Sequence, residues 1–226
     1  MIPKSKSSTP IGDGNRISDK IMRKQNITVA IMAKAPIPGL AKTRLIPSIG
    51  AHAAGVLQER LTERAVETAL AAAIGPVTLW CAPDPSHRSF RDLVARYAVT
   101  LKRQPEGDLG ARMLAAIAAS RRPALVIGTD CPAFTGEHLR AAANALRDAE
   151  VVLIPAEDGG YVLIGARAAY AELFAGIAWG TASVLAETRA RISTLGLTSI
   201  ELPPLWDIDT ESDLARFERE HPELAL

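Results

Sequence analysis

The chain has 226 residues, 48% hydrophobic and 23% charged, with a mean hydropathy of +0.10. That length supports one core of native proportions, and the composition excludes collagen, wholesale disorder and a small disulfide-stapled scaffold. The formal charge of +1 excludes a broad basic surface for nucleic acid, so any phosphate binding must be local.

The first 26 residues are rich in Ser, Lys, Gly and Pro and show no apolar period; six basic against two acidic residues give +4, leaving 20 against 23, or −3, for the rest. They read as a disordered basic tail without the apolar stretch of a signal peptide, followed by a domain over 27–226. Ile27 to Ala33 reads as a buried strand, and His52 to Ile74 as a helix with Leu57, Leu61, Ala65 and Ala69 on one stripe. Val77 to Cys81 is the next strand, then a helix over Arg88 to Tyr97, a weaker strand over Val99 to Lys102 and a helix over Leu109 to Ser120. The continuous apolar run Ala124 to Gly128 precedes a helix that Thr135 caps and that extends toward Leu146. Strands follow at Val151 to Ile154 and Tyr161 to Gly165, and a helix from Ala182 to Leu195 stops at Gly196, where a left-handed residue is needed. A strand near Thr198 to Leu202 and a helix opened by Thr210, with Asp213 as reciprocal cap, complete the chain. This alternation predicts an α/β fold: a mostly parallel, Rossmann-like sheet sandwiched by helices, with ligands beyond the carboxyl ends of the strands.

No segment is apolar for long enough to span a bilayer, and Cys81 and Cys131 make no disulfide framework or Cys-x-x-Cys site. A cytoplasmic protein with neither a membrane nor a nucleic-acid partner is expected. His52, His87, His138 and His221 have no ligand spacing, and Cys131 reads as a small hydrophobe.

The unusual residues follow the strands. In the loop after the first strand, Lys34, Lys42 and Arg44 supply cations, Pro36 and Pro38 stiffen the chain, and Gly39 permits close backbone approach, which suits a polyphosphate. It is not a P-loop, because the required glycines would fall at Ala41 and Pro36. A solvated basic loop is the bland alternative. Asp130, in Gly128-Thr129-Asp130-Cys131-Pro132, can hold a hard cation bridging diphosphate oxygens, or can simply begin a turn. Glu157 and Asp158 precede Gly159-Gly160-Tyr161, where a carboxylate could meet a sugar hydroxyl or nucleophile and the glycines admit substrate; a hairpin turn would look the same. Asp207 and Asp209, two apart on an extended segment, share a face and could look toward one metal, unless Asp209 serves only the next helix N-terminus. Asp108 and Arg112 lie in a Gly-flanked helix start that could read a base or ribose or be a plain cap, and Trp179 fits a stacking wall or the core.

In their order along the chain, Ala33-Lys34-Ala35-Pro36 through Lys42-Thr43-Arg44-Leu45, Asp108-Leu109-Gly110 with Arg112-Met113, Gly128-Thr129-Asp130-Cys131-Pro132, Glu157-Asp158-Gly159-Gly160-Tyr161, Trp179-Gly180-Thr181 and Asp207-Ile208-Asp209-Thr210 resemble the DUF2064 family. The resemblance spans about residues 27 to 220. It implies a GT-A-like fold of the nucleotide-diphospho-sugar transferase superfamily and a glycosyltransferase associated with radical-SAM and arsenosugar-type gene clusters. By that similarity Lys34, Lys42 and Arg44 fall at the nucleotide-phosphate loop, Asp130 at the metal position and Asp209 at a second ligand position. One departure is that the D-x-D of many GT-A enzymes is Gly128-Thr129-Asp130 here, with a single carboxylate.

The expected chemistry is transfer of a sugar from a nucleoside diphosphate sugar to a small acceptor. Mg²⁺ or Mn²⁺ on Asp130 and Asp209, helped by Lys42 and Arg44, would offset charge on the departing diphosphate, and Glu157 or Asp158 would take the acceptor's proton. Gly159, Gly160, Tyr161 and Trp179 would border the sugar and acceptor. The alternative is a guanylyltransferase-like nucleotidyltransferase that uses an NTP and releases pyrophosphate.

Overall fold

The computed structural model describes residues 26–222. The expected tail, apart from Asn26, lies outside the described residues. Seven strands form one sheet: β1 (Thr28–Lys34), β2 (Val77–Ala82), β3 (Val99–Arg103), β4 (Ala124–Ile127), β5 (Val151–Pro155), β6 (Tyr161–Ala166) and β7 (Ser199–Glu201), in the spatial order β3-β2-β1-β4-β6-β5-β7. All neighbours are parallel except β6, which runs antiparallel to both β4 and β5. The exception follows from chain length: the short 156–160 connection permits a hairpin, whereas a parallel return needs a crossover of about a dozen residues or more.

The helices are α1 (Ile46–Ala72), α2 (Arg88–Arg96), α3 (Leu109–Ala118), α4 (Gly136–Ala145), the single turn α5 (Ala171–Phe174), α6 (Val184–Thr194) and α7 (Glu211–Glu220). Two differ from the sequence expectation. The helix expected from His52 begins earlier and is broken at Gly50, whose φ of 79° is non-helical, and α5 leaves no sign in the sequence because one turn carries no period. The final cap is as expected: Asp213 Oδ2 accepts from the Thr210 amide at 2.7 Å, and the Asp213 amide donates to Thr210 Oγ1 at 3.4 Å.

Alternating residues of β1 divide the core. Val29, Ile31 and Ala33 pack with Val66 and Ala69 of α1 and Leu139 of α4, while Ala30 packs with Met113 and Ile117 of α3 and Leu185 and Ile192 of α6. A smaller cluster joins Leu57 and Leu61 of α1 to Trp206, Ile208, Leu214 and Phe217, fastening α7 and the preceding loop beside the carboxyl ends of β1 and β4. Between those two strands the connections leave in opposite directions, β1 toward β2 and β4 toward β6, which makes this the place where the sheet opens a crevice. Among the described residues no helix is long and apolar enough to cross a membrane.

Candidate active site

Two cavities meet at this crevice. The smaller, about 230 Å³, is walled by Lys34, Lys42, Thr43, Arg44, Asp130 and Asp209 among others. The larger, about 280 Å³, lies between α1, α3 and the ends of β4 and β6, with Asp130 and Asp207 on its wall. Met32, Thr129 and Asp130 line both.

The loop after β1 carries its ammonium inward. Ala41 and Leu45 are fully buried, and between them Lys42 takes a left-handed backbone conformation, φ 48° and ψ 44°. Its Nζ donates to the Ile208 carbonyl at 2.6 Å and ion-pairs with Asp130 Oδ1 at 2.8 Å; the lysine side chain is 4% exposed and the aspartate side chain 43%. Asp130 is held twice more, since its carboxylate accepts from Thr129 Oγ1 at 3.2 Å and its carbonyl accepts from the Ile208 amide at 2.9 Å. Thr129 in turn accepts from Gln58 Nε2 at 3.0 Å. Gln58 is a buried polar residue in mid-helix, with no sequence signal to separate it from any exposed helical Gln.

Beside this pair, Asp158, Asp207 and Asp209 bring carboxylate oxygens within 4.8 Å of one another. Asp209 also pairs with Arg44 at 2.7 Å. Burial, then repulsion from Asp158, Asp209 and Asp130, pushes the Asp207 carboxyl up to about 7, with Lys42 pulling the other way. Burial likewise raises Asp209, opposed by Lys42 and Arg44. Unbalanced acid in a partly dry site, offering hard oxygen donors only, matches the chemistry of Mg²⁺ or Mn²⁺. The residues that could hold a cation are gathered most densely at Asp158, Asp207 and Asp209 rather than at the expected pair Asp130 and Asp209, since Asp130 is engaged by Lys42.

Asp158 reaches this cluster from the β5–β6 turn. Gly159 has φ 94°, and a Cβ there would lie 2.3 Å from the Ala182 carbonyl oxygen, so only glycine fits. The Gly160 amide donates to Asp158 Oδ1 at 2.8 Å. The stretch is thus a hairpin turn and also a carrier of a clustered carboxylate. Glu157 faces elsewhere: Arg216 NH1 of α7 pairs with its carboxylate at 3.0 Å, and that guanidinium lies 4.3 Å from the Trp206 ring centroid.

The other expected residues scatter around the crevice. Lys34 and Arg112 share a further cavity beside Ala82 and Pro83, and Arg112 also donates to the Gly107 carbonyl at 3.0 Å. Gly39, at φ 85°, turns the loop. Asp108 caps α3, accepting from the Ala111 amide at 2.8 Å. Tyr161 lines the larger cavity, whereas Trp179 stacks on Phe174 and meets Tyr161 edge-on, both at 6.5 Å, and fills the space beside Gly110. Trp179 is thus a packing residue behind the cavity wall. Cys131 also lines the larger cavity, and burial with Asp207 nearby pushes its thiol up to about 12, which leaves no thiolate for nucleophilic attack near neutrality.

Residues 65–181 match the family described as "Uncharacterized protein conserved in bacteria (DUF2064)". The chain belongs to the DUF2064 family. The match runs from the second half of α1 past Trp179, and so includes Asp130 and the Glu157–Tyr161 turn. This DUF2064 chain is similar to the crystal structure of a candidate nucleotide-diphospho-sugar transferase from Desulfovibrio desulfuricans G20, with 25% identity and a TM-score of 0.74 over 87% of this chain and 95% of that one. It shares its fold with 4-diphosphocytidyl-2C-methyl-D-erythritol synthase from Anaerococcus prevotii DSM 20548, at 13% identity and a TM-score of 0.58 over 88% and 98% of the two chains. A CMP:2-keto-3-deoxy-manno-octonic acid synthetase complexed with CTP aligns at 12% identity and a TM-score of 0.57 over 88% and 99%. No curated protein matches the DUF2064 chain in sequence. Its fold is therefore the α/β sheet of the nucleotide-diphospho-sugar transferases, as expected from the alternation of strands and helices.

Proposed function

We propose that this chain is a divalent-cation-assisted transferase that moves a sugar from a nucleoside diphosphate sugar to a small hydroxyl-bearing acceptor. The observation that carries the reading is the junction of a cation-walled cavity and a second cavity at Asp130, with Asp158, Asp207 and Asp209 gathered beside it. Lys42 and Arg44, with Lys34 at the rim, bind the donor's diphosphate and offset the charge that develops as it departs. Asp158, Asp207 and Asp209 would hold the cation, which supplies further stabilisation of that charge. Asp130 lines both cavities, so its carboxylate faces the acceptor hydroxyl and takes its proton; this role suits it better than Glu157, which Arg216 draws toward α7.

Nucleotidyl transfer is favoured by one feature, the set of Lys34, Lys42 and Arg44 in one cavity, whose charge also suits a triphosphate. The product separates the two. Purified protein incubated with Mn²⁺ and UDP-, GDP-, ADP- or dTDP-sugars is expected to release nucleoside diphosphate. Release of pyrophosphate from NTPs with none from sugar nucleotides would replace sugar transfer by nucleotidyl transfer, and no thermal stabilisation by any of these ligands would remove both readings.

A further inference from the structure

We infer that the acceptor is a neutral alcohol or phenol with an apolar, single-ring-sized body, seated in the larger cavity. The inference rests on the proposed sugar transfer and names the substrate class of that same site. The two cavities divide the work by composition. The one after β1 is walled by cations and suits an anion. The other is built chiefly from Leu61, Met113, Val126, Ile127, Phe134 and Val162, all buried. A polyol placed there would lose water from several hydroxyls with few partners to replace it, a loss of about 1–3 kcal/mol for each group left unpaired. An apolar ring loses none of these and gains by leaving water.

Two further features narrow the class. Leu109 lies on the cavity wall while 45% exposed, one of the few large apolar side chains so exposed among the described residues. A hydrophobic guest would cover it. Among the described residues Arg64 is the one cation on the cavity's wall, and its Nε already donates to the Pro132 carbonyl at 3.2 Å, so a carboxylate or phosphate on the acceptor would lose its hydration against a largely apolar wall, a far greater cost than burying a neutral hydroxyl. The volume, about 280 Å³, lies just below the usual range for drug-sized ligands, which begins at about 300 Å³, and so suits a small guest. In the reaction the acceptor's hydroxyl oxygen bonds to the anomeric carbon, and the bond from that carbon to the diphosphate oxygen breaks. Its electron pair leaves with the diphosphate, and the hydroxyl proton passes to Asp130.

The test is binding of 4-fluorophenol to the full chain, followed by ¹⁹F relaxation and by calorimetry, with glycerol, glucose and 4-fluorobenzoate as comparisons. Saturable binding of the phenol, with the polyols and the benzoate at least about tenfold weaker, is the expected result. Ala65→Phe, which projects a ring into the cavity, should weaken phenol binding by about tenfold or more; circular dichroism establishes that this variant folds. If it does not fold, Thr68→Phe on the same wall serves the same purpose. Equal or tighter binding of glucose or the benzoate overturns the inference. Displacement of the phenol by free nucleotide also overturns it, since the cavity would then belong to the base, and the transferase reading would survive. Phenol binding without any response to nucleotides would leave an apolar-ring site here but remove the transferase reading, and with it the acceptor role.

Discussion

Asp207→Asn is expected to make the metal-free protein more stable above neutral pH, an unusual result for replacing a half-buried residue of the candidate site. The Asp207 carboxyl is raised from 3.8 to about 7 by burial first and by its acidic neighbours second. An acid raised in the folded state binds its proton more tightly there than in the unfolded chain. Its contribution is therefore complete below about pH 4 and is lost as pH rises toward 7, after which the folded protein carries a charge that burial disfavours. The full separation corresponds to about 4 kcal/mol; screening by water at a site that is only half-buried leaves about 2 kcal/mol. Asparagine, close in shape to the protonated acid, does not lose it. In EDTA the two proteins should melt together near pH 4, and the variant should melt about 4–8 °C higher at pH 8. Adding Mn²⁺ at a hundredfold its dissociation constant should recover about 2.7 kcal/mol in the wild type and little in the variant. Parallel melting curves from pH 4 to 8.5, or an equal Mn²⁺ shift in both proteins, would refute the reasoning.

Asp130→Asn should lower turnover about 10²- to 10³-fold in a folded protein, read as nucleoside diphosphate release at saturating Mn²⁺. Lys42→Met, which keeps the stem and removes the charge, should reduce kcat/KM by about 10²- to 10³-fold, with weaker donor binding by calorimetry. Lys42→Gly should lose the same donor affinity yet melt no lower than Lys42→Met, because glycine relaxes the left-handed backbone at that position. Gly159→Ala should destabilise by about 2 kcal/mol or more and weaken Mn²⁺ binding together, since a methyl group 2.3 Å from the Ala182 carbonyl must move the turn that carries Asp158.

Most of the sheet was legible because buried strands write themselves as apolar runs; β4 is buried at every position and needed no partner to be recognised. The β5–β6 turn was legible as a hairpin through Asp158-Gly159, and Thr210 with Asp213 as a capping box, since each depends on neighbours only a few residues away. What escaped depends on distance. Asp158 and Asp209 come together across some fifty residues of chain, and no spacing rule joins a hairpin to a loop beyond α6 and β7. Gln58 carries no mark of the bond to Thr129 that steadies Asp130. Trp179 reads identically as a ligand wall or as packing until Phe174 appears beside it, and Phe174 sits on a helix too short for periodicity to detect.

The Lys42–Asp130 pair is difficult to explain as a stabilising device. The lysine side chain, 4% exposed, has lost nearly all its hydration, while its partner Asp130 is 43% exposed, and attraction to a carboxylate screened by water offsets little of that loss. Its backbone adds a further penalty, since a non-glycine residue in the left-handed region costs about 1–2 kcal/mol. Ala41 and Leu45, both fully buried, account for the turn between them, but glycine would turn there more cheaply. What lysine adds is an ammonium already desolvated and aimed by the Ile208 carbonyl, so that the diphosphate of the proposed donor would meet a fixed charge with little reorganisation left when that charge is needed. Strain and desolvation at one residue, set where two cavities join, are thus better explained by an anionic substrate than by the demands of folding.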